Sequence, residues 1–314
     1  MTLLSQFRKN PWMITLVVLA LLVIVNIILQ PNFTSVRAMR SNLSTFLPLV
    51  LVAIGQTYVI LAGDIDLSVG STVALSNVVT VSVIAALGGT NGAILLGIGA
   101  GVLVGLACGL VNGLLIAKMR LQPIVTTFAT GILFAALAIW VLPRAGLAVP
   151  TNYWRTYGGL VLGVPTIVWV LIAAVAFALI FGRTVAHAHI IAAGGNRTGA
   201  FQSGLPLDRI RIGSYVLAGL FAALAALCLT GETASGDPLL GQTLALSSIS
   251  AVVLGGTALA GGFGSAIGSI LGAFVLGMIG NVIFFAGLPF EYQTLVQGLI
   301  VLLALAGGVL VTRR

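Results

Sequence analysis

The stretch RTVAHAHIIAAGGNRTGAFQSGLPLDRIR, residues 183–211, is the longest part of this sequence that cannot lie in hydrocarbon. It contains four arginines, one aspartate, both histidines of the chain and a glycine pair at Gly194 and Gly195. Long apolar segments lie on both sides of it. Because this is the one substantial polar stretch, the sequence predicts that nearly all of the remaining chain is embedded in an apolar environment.

The composition confines the chain to the class of integral membrane proteins. Hydrophobic residues make up 59% and charged residues 6% of the sequence, and the mean hydropathy is +1.19. Soluble domains carry about 25% charged residues. The apolar runs are long and continuous, which favours membrane-spanning helices over the short alternating strands of a β-barrel. Cys108 and Cys228 fall inside apolar runs, so we expect free buried thiols.

Ten apolar segments are long enough to be considered as membrane spans. A helix needs about 17–25 residues to cross the hydrocarbon core. Two of the segments, 68–87 and 244–260, are rich in glycine and serine and are candidates for interruption. The amino-terminal segment, at about 12–29, is interpreted as a span and not as a signal peptide, because no small-residue cleavage site follows it. The segments fall at about 12–29, 44–62, 68–87, 93–117, 122–142, 165–182, 212–231, 244–260, 265–285 and 292–311.

The basic residues indicate the orientation of such a bundle. Ten crossings place both termini on one side of the membrane. Ten of the 14 basic residues then lie on that side and four on the other, as expected for cytoplasmic termini. The first group is Arg8, Lys9, Lys118, Arg120, Arg183, Arg197, Arg209, Arg211, Arg313 and Arg314, and the second is Arg37, Arg40, Arg144 and Arg155. The net charge of +8 is therefore read as a topology signal and not as affinity for nucleic acid.

Two glycine-striped segments suggest an internal repeat. GVLVGLACGLVNG at 101–113 and GSILGAFVLGMIGN at 268–281 both end in or near an asparagine. Five crossings separate them, so related halves would have opposite orientations, which is a common plan of transporters. We therefore expect a single all-helical membrane domain with a five-plus-five inverted repeat, its halves being 1–142 and 143–314. Glycine stripes also recur in helical bundles that have no repeat, and that alternative stays open.

The acidic residues Asp64 and Asp66 lie between two apolar segments with almost no loop. A carboxylate at membrane depth costs about 2.5–3.5 kcal/mol on insertion scales. We expect them, together with Ser68 and Gly70, to form a turn and cap the helix that begins near Val69. A direct role in binding an ion or a solute is the alternative.

The other polar residues inside the segments are uncharged, and they are candidates for lining a transport path. An ion-coupled carrier usually has an ionisable relay within the membrane, and the sequence has none there. No phosphate-binding G-x-x-x-x-G-K-[ST] motif occurs either. We therefore expect no catalytic, cofactor or metal site in this chain, and an energy source on a partner. The candidate path residues are Gln56, Asn77, Asn112, Thr127 and Asn281.

Four motifs, taken in order, resemble the membrane permeases of bacterial ribose- and xylose-type ABC importers, a family that includes permeases for autoinducer-2 and galactofuranose. The resemblance covers the chain from about Gln30 to its end, and the order of the motifs makes it specific. The motifs are GDIDLSVGS at 63–71, LVNGLL at 110–115, AAGGN at 192–196 and AVVLGGTALAGGFGS at 251–265.

The resemblance implies a subunit with about ten helices in the bacterial inner membrane, surrounded by lipid. It also implies a homo- or heterodimer of permeases, a cytoplasmic ATPase subunit and a periplasmic solute-binding protein. Residues 183–211 correspond to the cytoplasmic coupling loop that docks on the ATPase. Arg197 stands where the family often has glutamate. The residues implied in coupling are Gly194, Gly195, Asn196, Arg197, Gln202, Ser203 and Gly204.

The function predicted from the sequence is therefore transport of a monosaccharide or a similar polar solute into the cytoplasm, with ATP hydrolysed on a partner chain. Within the same class, the solute could instead be a nucleoside or a branched-chain amino acid. A self-contained secondary carrier is disfavoured by the missing ionisable relay. A passive channel is disfavoured because the sequence has no residues suited to rings of charge.

Overall fold

A computed structural model describes residues 12–289 and, beyond them, residues 291, 292, 294–296, 298, 299 and 302. Most of the predicted tenth span, 292–311, lies outside the described residues, as do Arg8, Lys9, Arg313 and Arg314. The count of ten spans therefore stays a prediction.

The described chain is mostly helical. The first five helices are α1 (Trp12–Leu29), α2 (Val36–Leu61), α3 (Val69–Ala86), α4 (Asn91–Ala117) and α5 (Pro123–Val141). A short helix, α6 (Thr151–Tyr157), precedes α7 (Thr166–Phe181), α8 (Val185–Gly195) and α9 (Arg197–Gln202). The last three are α10 (Leu207–Thr233), α11 (Leu244–Leu254) and α12 (Ala266–Phe285).

Four two-residue strands occur in the connections. β1 (Leu147–Ala148) pairs antiparallel with β4 (Ser235–Gly236), and β2 (Leu160–Val161) pairs antiparallel with β3 (Val164–Pro165). The β1–β4 ladder joins the connection after α5 to the connection after α10. It links two places that are far apart in sequence, but it forms no sheet that could act as a core.

Seven of the described helices are long and apolar enough to cross a membrane, namely α1, α2, α3, α4, α5, α10 and α12. The helices α7 and α8 meet at a bend of 71° and would together make an eighth span. α11, with 11 residues, is shorter than a helical span requires. Within the described residues, the structure therefore establishes a multi-helix membrane protein with seven or eight candidate spans.

The structure corrects two of the predicted segments. The segment at 68–87 forms one uninterrupted helix, α3. Its buried residues pack on neighbouring helices, and this packing outweighs the low intrinsic helix propensity of the segment. The second span begins at Val36 and not near residue 44, since Ser35 accepts a hydrogen bond from the amide of Ala38 and starts the helix earlier. The interruption at 244–260 is present: α11 ends at Leu254.

The core is built around α2 and α10. α10 packs against α2, α3 and α4, and α12 packs against α1, α2 and α11. Residues 46–62 are buried almost without exception, so α2 is surrounded by protein on nearly every side. In contrast, α1 is largely exposed along its length, as expected for a helix that faces lipid. The polar side chains of the turn between α2 and α3, Asp64, Asp66 and Ser68, are buried as well.

Candidate functional site

An ion pair joins the turn after α2 to the first part of α10. Arg211 donates through Nε to Asp64 Oδ2 at 2.8 Å and through Nη2 to Asp64 Oδ1 at 2.7 Å. The side chains of Arg211 and Asp64 are only 12% and 2% exposed. Arg211 also donates to the carbonyl of Ile116 at 3.4 Å. This bidentate pair neutralises the buried carboxylate and holds the ends of α2, α4 and α10 together.

A second buried network begins two residues later at Asp66. Its Oδ1 accepts from the backbone amide of Ser68 at 2.8 Å and from the Ser68 hydroxyl at 2.6 Å. The amide nitrogen of Asn112 donates to Ser68 Oγ at 2.7 Å, and Thr130 Oγ1 donates to Asn112 Oδ1 at 2.6 Å. Burial raises the pKa of Asp66 to about 6, against the lowering effect of the two bonds from Ser68.

The network fastens the turn to α4 and α5 at the same time. Thr127 adds a second attachment to α5, because its Oγ1 accepts from the amide of Leu67 at 3.1 Å. Ser68 itself makes no side-chain capping bond to α3. The expected turn is therefore present: Asp64 bonds to Arg211 of α10, Ser68 bonds to Asn112 of α4, and Asp66 bonds within the turn to Ser68.

Removing the terminal donor of this network should destabilise the protein measurably. Thr130→Val leaves the buried carbonyl oxygen of Asn112 without its donor, and we expect a loss of about 1–3 kcal/mol in the free energy of unfolding. The matched control is Thr126→Val on the same helix, because among the described residues Thr126 Oγ1 bonds only to the carbonyl of Gln122, the residue just before this helix. Thermal unfolding in detergent would compare the two. Equal midpoints for both variants would contradict the assigned network.

The five candidate path residues do not meet in one place. Asn112 and Thr127 belong to the attachments of the 64–68 turn described above. Asn77 donates to Thr230 Oγ1 at 2.6 Å and accepts from the backbone amide of Asp237 at 2.8 Å, so it ties α3 to α10 and to the segment after it.

Asn281 and Gln56 lie elsewhere in the bundle. Asn281 donates to Asn42 Oδ1 at 3.1 Å and lines a cavity of about 480 Å³ between α2, α11 and α12. Gln56 is fully buried, and neither its amide nitrogen nor its amide oxygen has a hydrogen-bond partner among the described residues. A buried amide without partners is unfavourable unless another group supplies the bonds. Gln56 is therefore the one of the five whose side-chain amide has no hydrogen-bond partner at all among the described residues.

A close backbone contact joins α3 to the segment before α11. A Cβ atom on Gly70 would lie 2.5 Å from the carbonyl oxygen of Gly241, and Gly241 itself has φ +83°. Only glycine allows both this approach and this backbone conformation. The two glycines begin similar octapeptides, GSTVALSN at 70–77 and GQTLALSS at 241–248. This similarity is visible in the sequence and differs from the repeat predicted from the two glycine stripes.

The stretch 183–211 contains two helices and the start of a third. Thr184 accepts a bond from the amide of His187 and starts α8, and Asn196 accepts one from the amide of Gly199 at 2.9 Å and starts α9. Arg197, Gln202 and Ser203 are exposed. The predicted coupling residues therefore form a folded, exposed surface, except Gly194, which is half-buried.

That glycine pair lies against two other segments. A Cβ atom on Gly194 would overlap the carbonyl of Leu61, and one on Gly262 would overlap the backbone of Gly195. The amide of Gly262 donates to the carbonyl of Leu61 at 3.0 Å. The end of α2, the end of α8 and the connection between α11 and α12 thus meet backbone to backbone. No room for a side chain is left at Gly194 or Gly262, so the three segments are packed at backbone distance.

Long apolar helices around a buried polar network define a multi-pass membrane protein. Residues 38–305 match the family model described as the permease component of the branched-chain amino acid transport system, and the chain belongs to this permease family.

Curated relatives narrow the comparison to sugar permeases. The chain is 38% identical to the ribose import permease protein of Bacillus subtilis (strain 168), over 91% of this chain and 89% of the relative. It is 34% identical to the ribose import permease protein of Escherichia coli (strain K12), over 91% and 90%. It is also 34% identical to the L-arabinose ABC transporter permease protein of Azospirillum brasilense, over 87% and 80%. The resemblance to ribose-type permeases is thereby confirmed.

Proposed function

We propose that this chain is the membrane permease subunit of an ABC importer that moves a monosaccharide into the cytoplasm, driven by ATP hydrolysis on a separate subunit. The observation that carries the proposal is the end-to-end similarity to ribose and arabinose permeases. The proposed partners are a cytoplasmic ATPase subunit, a periplasmic solute-binding protein and a second permease copy or paralogue. The proposed location is the bacterial inner membrane, with both termini in the cytoplasm.

We also propose the inverted repeat of two five-helix halves, on the support of three glycine contacts. The contact of Gly70 with Gly241 relates positions that differ by 171 residues, the difference between 241 and 70. The same offset relates two further contacts. Gly97 lies against Ile84 as Gly268 lies against Gly255, and Gly101 lies against Thr80 as Gly272 lies against Ala251.

This offset changes the expected pairing of the two glycine stripes. The sequence comparison pairs Gly268 with Gly101, where the two stripes begin. The offset of the contacts instead pairs Gly268 with Gly97, four residues earlier. On this proposal the repeat axis would pass through the contact between Gly70 and Gly241, since each residue would be the equivalent of the other. Half-helices that begin near such an axis form the solute sites of many transporters. The path in this chain would then run beside α3 and α11.

A copurification and an uptake assay would test the proposed function. The tagged chain should copurify with an ATPase that carries Walker motifs. Vesicles containing both should take up labelled monosaccharide only when ATP and the solute-binding protein are supplied. Uptake driven by an ion gradient without the ATPase would instead indicate a secondary carrier.

The solute has a second candidate of the same transport class. The matching family model is described by branched-chain amino acid transport. Calorimetry with the purified solute-binding protein would decide between the two, because the sugar and the amino acid would give separate binding isotherms. Binding of leucine and not of ribose or arabinose would overturn the assignment of a monosaccharide.

Gly204 allows a test of the proposed coupling surface. It ends the turn after α9 with φ +77°, and a Cβ atom added there would have no neighbour within 4 Å. Gly204→Val forces a branched side chain into the left-handed region, at a cost of about 1–2 kcal/mol, and should displace α9. We expect ATP-driven uptake to fall several-fold relative to ATP hydrolysis. Arg197→Glu should likewise lower ATP-driven uptake relative to ATP hydrolysis.

The control for Gly204→Val is Gly213→Ala, in α10, where a Cβ also meets nothing within 4 Å but the backbone is not left-handed. Reconstituted vesicles would give uptake and hydrolysis from the same sample. If substrate-stimulated ATP hydrolysis and uptake stay in their original ratio in both coupling variants, this surface does not couple the two subunits.

A further inference from the structure

A strongly basic cavity lies beside the proposed coupling surface. It has a volume of about 730 Å³ and lies between the α4–α5 turn and the α9–α10 connection. One carboxylate, that of Asp208, is part of its wall. The basic residues that line it are Lys118, Arg120, Arg197, Arg209 and Arg211.

Three of these five cations are free to bind an external anion. Lys118 pairs with Asp208 at 2.9 Å, and Arg211 pairs with Asp64. Among the described residues, Arg120, Arg197 and Arg209 form no ion pair. All three are exposed at the cavity. Like charges placed together repel each other, so an arriving group of opposite charge would gain from all three at once.

The rim of the cavity has the composition of a protein interface. Phe201, which also lines the cavity, is 71% exposed. An exposed aromatic side chain that shares a cavity with several arginines is typical of the residues that dominate binding energy between proteins. α9, which carries Phe201, is also the element that the sequence motif assigns to docking. These two features favour a protein over a lipid as the occupant.

We propose that this cavity receives an acidic segment of the ATPase partner, whose aspartate or glutamate side chains pair with Arg120, Arg197 and Arg209 while Phe201 packs against it. The proposal rests on the proposed function and extends it. It adds the α4–α5 turn to the docking surface and specifies the charge of the partner. It also explains the basic residue at position 197, since an arginine there completes a cluster that glutamate would weaken.

The cavity reaches the interior through Arg211. This residue is part of the cavity wall and holds Asp64, the first residue of the buried polar turn. A carboxylate that enters the cavity competes with Asp64 for the guanidinium of Arg211. Docking of the ATPase is thereby linked to the segment that continues to Gly70 and the contact with Gly241.

The test compares association of the purified ATPase subunit with the permease in nanodiscs of phosphatidylcholine. The wild-type chain should bind less tightly as salt rises, because the contact is electrostatic. Arg120→Glu/Arg209→Glu should weaken binding by about tenfold or more and flatten the salt dependence. The control is Arg37→Glu/Arg144→Glu, which reverses two exposed charges on the predicted opposite face and should bind as the wild type does.

Each outcome separates this inference from the proposed function. Failure of the ATPase to bind the wild-type chain contradicts the proposed function itself. Equal binding of the ATPase to the wild type and to the cavity variant overturns only the cavity assignment. Wild-type binding that does not respond to salt does the same, and this measurement does not depend on whether the variant folds. If the Arg120→Glu/Arg209→Glu variant binds the ATPase as the wild type does but loses binding to phosphatidylglycerol vesicles, the cavity is assigned to a lipid headgroup. That outcome also overturns the proposal.

Discussion

Replacing Arg211 with methionine is expected to lower the free energy of unfolding by about 3–5 kcal/mol, the effect of breaking a buried ion pair on one side. The substitution leaves the carboxylate of Asp64, which is 2% exposed, without either of its two guanidinium donors. A buried charge without a partner is among the most unfavourable groups that a folded chain can contain. Chemical or thermal unfolding in detergent would measure the loss.

The chain offers a matched control for this experiment. Lys118→Met breaks the pair between Lys118 and Asp208, whose N–O distance of 2.9 Å is similar but whose side chains are 60% and 50% exposed. Exposed pairs contribute about 0–1 kcal/mol, so this variant should unfold almost as the wild type does. Lys118, Asp208 and Arg211 line the same cavity, and the two pairs differ in burial and in that only the Arg211 pair is bidentate.

A double variant separates the ion pair from simple loss of packing. Arg211→Met combined with Asp64→Leu removes both charges, and apolar replacement of a buried pair is often neutral. The double variant should therefore recover a large part of the stability that the single variant loses. No recovery would mean that the bond to Ile116 or the shape of Arg211, and not its charge, holds the three helices together.

Replacing Gly70 with alanine is expected to destabilise the protein by about 1–3 kcal/mol and to impair uptake, because the added methyl group meets backbone and not a movable side chain. Its Cβ would lie 2.5 Å from the carbonyl oxygen of Gly241. Either α3 or the segment before α11 has to shift, and these are the elements that meet at the proposed repeat axis.

Gly213→Ala provides the opposite expectation. Both glycines are helical, but a Cβ at Gly213 meets nothing within 4 Å. Alanine is favoured over glycine inside a helix by about 0.5–1 kcal/mol, so this variant should be as stable as the wild type or more so. Unfolding midpoints and uptake in vesicles would be compared for both. A Gly70→Ala variant that behaves like Gly213→Ala would contradict the close contact.

Sequence patterns predict those features of this chain that depend on neighbouring residues. Apolar runs mark the spans because the hydrocarbon core imposes the same length on every helix that crosses it. The glycine-rich stretch 251–265 marks the end of α11 for the same local reason, since glycines weaken a helix wherever they cluster. The start of α2 at Val36 was missed because hydropathy reports burial in lipid, whereas the first turns of this helix carry Arg37 and Arg40.

The sequence by itself determined the class of protein, the approximate position of most described spans, the polar stretch 183–211 and the permease family. Only the tertiary structure decided which polar groups meet. Asp64 and Arg211 are separated by 147 residues, and Gly70 and Gly241 lie in different halves of the chain. A carboxylate in an apolar sequence signals that a partner is needed, because its burial alone is unfavourable. Which residue supplies that partner depends on how the helices pack.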